Sequence, residues 1–286
     1  MEIFQVRCRW PRLNIQQGAT LAETGRRVKR GVARTWERMA LQVECSELSL
    51  IGDREENQER VAIARSPAAV LLIAIDGMGG HADGAKAAAV ATETIVEAFR
   101  RAPQPLFDPQ GFLHLTIGKA HSNLVQLGNG QRMEARPRAT CALCLVQDGM
   151  AWFAHVGDSR IYQLRQRQVS RRTRDHSHVE LLLQEGLITE EEISNHPMRN
   201  YVECCLGGNL ALPGMSVGSA RRLQPGDLLL VCTDGFWSGL EDSDVASCAA
   251  GNETVEQGLR RLATQAVRAN GPHSDNTSVA ALRWLG

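Results

Sequence analysis

The sequence predicts an α+β layered sandwich in one domain, and three observations predict it. Apolar runs of strand length recur at residues 69–75, 140–146, 227–233 and 277–284. Between residues 140 and 165 the links joining such runs are too short for the crossover that parallel strands require, so antiparallel pairing is expected there. Two longer stretches, 84–100 and 254–268, instead carry apolar residues at helical spacing. A chain of 286 residues suits one large domain or two modest ones, and no internal repeat or low-complexity tract divides it.

Taken in order, residues 42–50 and 60–63 read as strands around an acidic loop at 52–59. The run 69–75 is continuously apolar, as expected of a strand covered on both faces. A helix over 84–100 would bury Ala88, Thr92, Ile95 and Phe99 on one stripe. Short strands at 140–146, 151–156 and 161–165 follow, joined by turns at 147–149 and 157–159. The segment 173–213 differs in kind. Its pairs Ser177 with Glu180, and Thr189 with Glu192, are capping boxes that should start two short helices, ended by Gly186 and by residues 195–197. A strand at 227–233 comes next. A helix over 254–268 then buries Val255, Leu259, Leu262 and Ala266, residues 270–272 break it, and a last strand occupies 277–284.

Composition removes several classes. A hydrophobic share of 43% against 22% charged is a globular balance, and a net charge of +0 gives no global field for nucleic acid or an anionic membrane. No apolar run approaches the ~20 residues that cross a bilayer, and residues 1–7 lack the apolar block of a secretory signal. The expected compartment is the reducing cytoplasm, where eight cysteines need no disulfides. Cys141 and Cys144 form a C-x-x-C without further ligands, weak grounds for zinc, and Cys204, Cys205 and Cys232 read as small core residues. Residues 1–38 stand apart as a basic extension, with Leu21, Val28, Val32 and Trp36 at helical spacing among arginines. Three readings stay open for it: a surface for a membrane or acidic partner, a docking helix, or a true start at Met39, and the last two are preferred.

Four aspartates carry the chemistry. Asp76, Asp158, Asp234 and Asp275 each flank a strand-like run, and all four sit beside glycine or asparagine. A carboxylate at a strand end lies at the rim of the core, and several in one cleft suit hard cations such as Mg²⁺ or Mn²⁺. Turn formation explains one or two of the four but not the set. Asp76 could bridge two ions while the Gly77 carbonyl adds a ligand, and Asp234 and Asp275 supply one carboxylate each. Two cations ~3.5–4 Å apart can share a water, lower its pKa and aim it at phosphorus. Arg54, in the acidic loop, would grip a phosphoryl group through paired hydrogen bonds. The glycines at 77, 79 and 80 raise a nucleotide-loop alternative, but the spacing fits neither a P-loop nor G-x-G-x-x-G.

In order along the chain stand Arg54-x-x-Asn57-Gln58-Glu59, Asp76-Gly77-Met78-Gly79-Gly80-His81, His155-Val156-Gly157-Asp158-Ser159-Arg160, Thr233-Asp234-Gly235 and Asp275-Asn276. This series resembles the metal-dependent protein phosphatases of type 2C, in their bacterial form, from about residue 41 to the end. The resemblance implies a four-layer α/β/β/α sandwich of two antiparallel sheets, with a helical flap at 173–213. It implies a serine/threonine phosphoprotein phosphatase, monomeric, that works on phosphorylated proteins and opposes a serine/threonine kinase. Two Mn²⁺ or Mg²⁺ ions would be held by Asp76, Gly77, Asp234 and Asp275, with a weaker third at Asp158. Arg54 would clamp the substrate phosphate, and Asn276 would steady its loop. Two departures stand out. Glu59 occupies a position usually filled by Asp that contacts metal-bound water, and Met78 replaces a histidine that eukaryotic relatives place two residues after the bridging Asp. His81 is then the nearby candidate for the acid that protonates the leaving oxygen, a packing role being its alternative. A pseudophosphatase, prompted by Glu59, and an interaction module built on residues 1–38 are the competing readings.

Overall fold

The structure, a computed structural model, describes residues 41–78, 82–193, 195–249 and 253–286. The basic extension at 1–38 and His81 lie outside the described residues. Strands β1 (Val43–Leu50), β2 (Glu59–Arg65) and β3 (Ala69–Met78) open the domain, followed by helices α1 (Ala82–Arg101) and α2 (Pro109–Leu127). A short β4 (Arg138–Ala139) leads into β5 (Cys141–Gln147), β6 (Met150–Val156), β7 (Arg160–Arg165) and β8 (Gln168–Arg172). The flap carries α3 (His178–Gln184), α4 (Glu190–Ile193) and β9 (Leu206–Gly207). Then come β10 (Ser216–Val217), β11 (Arg221–Arg222), β12 (Leu228–Cys232), α5 (Asp234–Trp237), α6 (Asp242–Ala246), α7 (Val255–Asn270) and β13 (Thr277–Trp284).

All strand pairs are antiparallel, in two sheets. One runs β1-β13-β12-β7-β8; the other runs β10-β6-β5-β3-β4-β9, with β2 beside β3 and β11 beside β6. Alternation along each strand then divides the apolar residues into three cores. Val70, Leu72, Cys144, Ile161, Val231 and Leu282 pack between the sheets. On the outer face of the larger sheet Leu71, Ile73 and Leu143 meet Ile95 and Phe99 of α1 and Ile117 of α2. Beyond the other sheet, Leu228, Leu230 and Val279 meet Leu259 and Leu262 of α7. Four layers follow from this partition, as the resemblance implies.

Capping agrees with the sequence at two of the helices, and a third box, on α7, is one the sequence reading did not name. Ser177 accepts from the Glu180 amide at the start of α3, the Glu192 carboxylate receives the Thr189 amide at α4, and Thr254 with Gln257 forms a full box on α7. Other expectations need correction. Helix α2 is missing from the sequence reading, although Asp108 caps it through the Gly111 amide and Pro109 opens it. Cys204 and Cys205 are half-buried rather than core. Cys141 and Cys144 are three apart on one strand, so they face opposite cores and cannot share an ion.

Close backbone approach fixes one glycine. Gly235, in the first turn of α5, lies directly against the Asn276 carbonyl, where a Cβ would collide. Backbone cannot retreat as a flexible side chain can. Gly235→Ala is therefore expected to destabilise the fold by about 3 kcal/mol or more, read as a fall in the denaturant midpoint at unchanged slope. An unaltered midpoint would contradict this packing.

Candidate metal centre

The four aspartates and Glu59 gather where the ends of the two sheets meet. Asp76 lies near the end of β3, and its cross-strand partner is Glu59, first residue of β2. Asp234 opens α5 just after β12, and Asp275 precedes β13 in the opposite sheet. Asp158 sits in the link from β6 to β7, where the chain crosses between sheets. Both sheets thus contribute carboxylates to one seam.

Hydrogen bonds fix the supporting backbone. The Thr140 amide donates to the Asp76 carbonyl at 2.8 Å, and the Asp76 amide reaches the Thr140 hydroxyl at 3.2 Å. That hydroxyl pairs with Ser159 at 2.6 Å. Asn276 stitches two loops together: its Oδ1 accepts from the Gln58 amide and its Nδ2 donates to the Ile51 carbonyl, each at 2.8 Å. The Asp53 amide also bonds the Ser274 carbonyl at 2.9 Å, so Arg54 and Asp275 ride on tied loops. Gly77 and Gly84 allow α1 to approach β3, since a Cβ on Gly77 would strike the Gly84 carbonyl.

Electrostatically the cluster is under tension. Burial, then the charges of Asp234, Glu59, Asp158 and Asp275, push the Asp76 carboxyl well above the usual range. Glu59 is raised likewise, by burial and then by Asp234. Asp158 is pushed up to about 8 by burial and Asp234, and Asp234 to about 6 by burial and Asp275. Both Glu59 oxygens and Oδ1 of Asp158 are buried without a hydrogen-bond partner. The hydroxyls of Ser278 and Thr233 lie near enough to ease Glu59 electrostatically, yet they bond Ser49 and the Ser278 carbonyl instead. Burying unpaired carboxylate oxygens is costly. An all-oxygen, anionic donor set of this kind fits hard divalent cations, and the orphaned atoms are what such ions would satisfy.

The carboxylates converge without closing. Among the described residues, no three His, Cys, Asp or Glu side chains already stand in ligating positions. Asp275 is engaged instead by Arg54, whose Nη2 lies 2.7 Å from Oδ2. Arg54 is 55% exposed, so this ion pair is weak and the guanidinium is free to swing.

Sequence reasoning missed the scaffold behind Asp158. Arg160 forms a two-pronged pair with Asp175 at 2.8 and 2.7 Å and lies 3.4 Å from the Trp237 ring centroid. The Trp237 indole donates to the Asp158 carbonyl at 3.0 Å. At the root of the flap, the Gly157 amide donates to His176 Nδ1, leaving Nε2 to donate to Ser216. His155, half of a stacked pair with His176 at 4.4 Å, is buried and donates to the Arg174 carbonyl. Burial lowers both histidines, His176 to about 4. Arg160 stood in the sequence motif, but only tertiary structure brings Asp175 and Trp237 to it.

Residues 49–273 match the family described as Protein phosphatase 2C. The serine/threonine protein phosphatase PstP of Mycobacterium tuberculosis is 32% identical over 217 residues, 73% of this chain but 39% of that protein, so the chain spans about two-fifths of that relative's length. The serine/threonine phosphatase of S. agalactiae superposes with a TM-score of 0.78 at 28% identity, over 85% of this chain and all of the other. The PstP catalytic domain, solved in complex with two manganese ions, shares the fold with a TM-score of 0.71 at 24% identity, over 85% of this chain and 99% of that one. With antiparallel sheets, flanking helices and ordered motifs in agreement, this chain belongs to the protein phosphatase 2C family in its bacterial form.

Proposed function

We propose that the chain is a metal-dependent phosphatase acting on phosphoserine and phosphothreonine in proteins. The observation that carries this reading is the seam of buried carboxylates, with Glu59 and Asp158 oxygens left unpaired. Asp76, the Gly77 carbonyl, Asp234 and Asp275 would together hold two Mn²⁺ or Mg²⁺ ions. Asp158 would hold a third, weaker ion, and Glu59 would support the edge it shares with Asp76. Bound there, the ions would supply Lewis-acid charge and an acidified bridging water as nucleophile. PstP is the relative solved with two manganese ions; for this chain the support is its own donor set.

Arg54 grips the substrate phosphate in this reading. To do so its guanidinium leaves Asp275, which becomes available at the same moment. His81 is the proposed proton donor to the leaving oxygen. The flap at 173–213 shapes the groove for the protein substrate, and a serine/threonine kinase supplies that substrate. The phosphatase domain spans 39–286, works as a monomer in the cytoplasm, and residues 1–38 are an extension to it. Among the described residues no helix is long and apolar enough to cross a membrane.

Purified chain with Mn²⁺ is expected to release phosphate from p-nitrophenyl phosphate and from a phosphothreonine peptide, and EDTA should stop both. A folded, Mn²⁺-saturated chain that hydrolyses neither would overturn the assignment in favour of a phosphoprotein-binding role.

A further inference from the structure

We propose that the β7–β8 edge, with β11 beside it, is a docking surface for an acidic, extended segment of a partner protein. Nothing in the phosphatase reading is needed for it. From residue 160 to 174 the chain contains six arginines and no acidic residue, although its net charge is +0. The structure turns this run into a hairpin. Strand β8 ends the sheet order, pairs only with β7, and is exposed along most of its length.

A buried anchor gathers the charge from both sheets. Asp227 is held by Arg165 through Nε at 2.8 Å and Nη2 at 2.7 Å, and that same Nη2 reaches the Arg222 carbonyl at 3.2 Å. The arginines of β11 are thereby brought beside the hairpin turn, though β11 belongs to the other sheet. Arg167, Arg171, Arg221 and Arg222 are exposed and have no ion-pair partner among the described residues. Asp242 neutralises Arg172 at one end, which leaves the surplus around the turn. In that turn Gln166 and Arg167 adopt φ of 50° and 63°, a conformation that Asn and Gly take more readily.

The chemistry favours a peptide. An open strand edge offers main-chain donors and acceptors at peptide spacing, and guanidinium forks pair with carboxylates. Nucleic acid would want stacking platforms, but Tyr162 is buried and Trp237 is covered by Arg160. A membrane would want exposed apolar side chains, whereas Val169 packs into the core. Charge on an edge also discourages sheet-to-sheet association, and the test must separate that role.

The probe is a fluorescein-labelled peptide of alternating glutamate and valine, titrated against the full chain at low and high salt. The expected results are saturable binding, a loss of at least tenfold in Arg167→Glu/Arg171→Glu, and a loss with a peptide N-methylated at alternate residues. Hydrolysis of p-nitrophenyl phosphate should be unchanged in the variant, which separates this result from any failure of the phosphatase reading. Binding that ignores the reversal, tighter capture of a DNA duplex or phosphatidylserine vesicles by the same arginines, or aggregation of the variant with peptide binding intact would each overturn the proposal.

Discussion

Asp234→Asn is expected to make the metal-free chain more stable and, with Mn²⁺ present, to slow phosphoester hydrolysis on the order of a thousandfold. The two effects share one cause. In the metal-free fold the Asp234 charge raises its neighbours Asp76, Glu59 and Asp158, and Asp234 is itself raised by burial and Asp275. An amide removes that repulsion while keeping an oxygen that can accept the Gly235 amide. The gain should be about 1–3 kcal/mol at pH 8, visible in urea unfolding under EDTA. The same substitution takes a charged ligand from the proposed centre, whose transition-state stabilisation is worth several kcal/mol. A variant both less stable and fully active would remove Asp234 from the centre altogether.

Raising the pH from 6.5 to 8 is expected to weaken the metal-free chain by about 2 kcal/mol, and saturating Mn²⁺ should cancel the loss. Asp158 is pushed up to about 8, and Asp76 and Glu59 are raised as well, so in this window the folded chain holds protons that the unfolded chain has released. Their stabilisation is present below the ordinary carboxylate range and is lost as pH climbs through the raised values. Asp158 alone supplies ~1.4 kcal/mol per pH unit here. His155 and His176 act in the opposite sense, but below pH 6.5, where the unfolded imidazoles take up protons. Above 6.5 the carboxylates therefore lead, with the buried thiols of Cys141, Cys144 and Cys232, also raised by burial, adding in the same sense toward pH 8. For a domain of this size the expected fall in Tm under EDTA is about 5 °C. Divalent ions demand deprotonated ligands, so their stabilising effect should grow across the same range. A Tm that rises with pH in EDTA would contradict the geometry.

The sequence exposed much of the domain because strand and helix periods differ. Residues 69–75 declared a doubly covered strand through an unbroken apolar run, and 254–268 declared a helix through Val255, Leu259, Leu262 and Ala266, all buried. Helix α2 escaped although Leu113, Ile117, Ala120 and Leu124 recur at helical spacing behind an Asp-Pro start. Strands β9, β10 and β11 have two residues each, and no local pattern can announce them. They exist because partners present hydrogen-bonding edges.

At the seam, the aspartates were legible because a carboxylate ending an apolar run has few structural reasons to be there. Their supports were not. Thr140, Asp175 and Trp237 are ordinary residues until the fold brings them to Asp76, Arg160 and Asp158. Glu59 was legible as a departure from a motif, but its two stranded oxygens became visible only once β2 lay beside β3.

Because the carboxylates come from the ends of both sheets, and Asp158 from the strand-to-strand passage between them, any cation seated there rivets the two halves of the sandwich. Scarcity of divalent ions would then shorten the survival of the protein against cellular proteases as well as idle it. If the proposed centre binds metal, the amount of intact protein, and not merely any turnover, would track the surrounding metal supply.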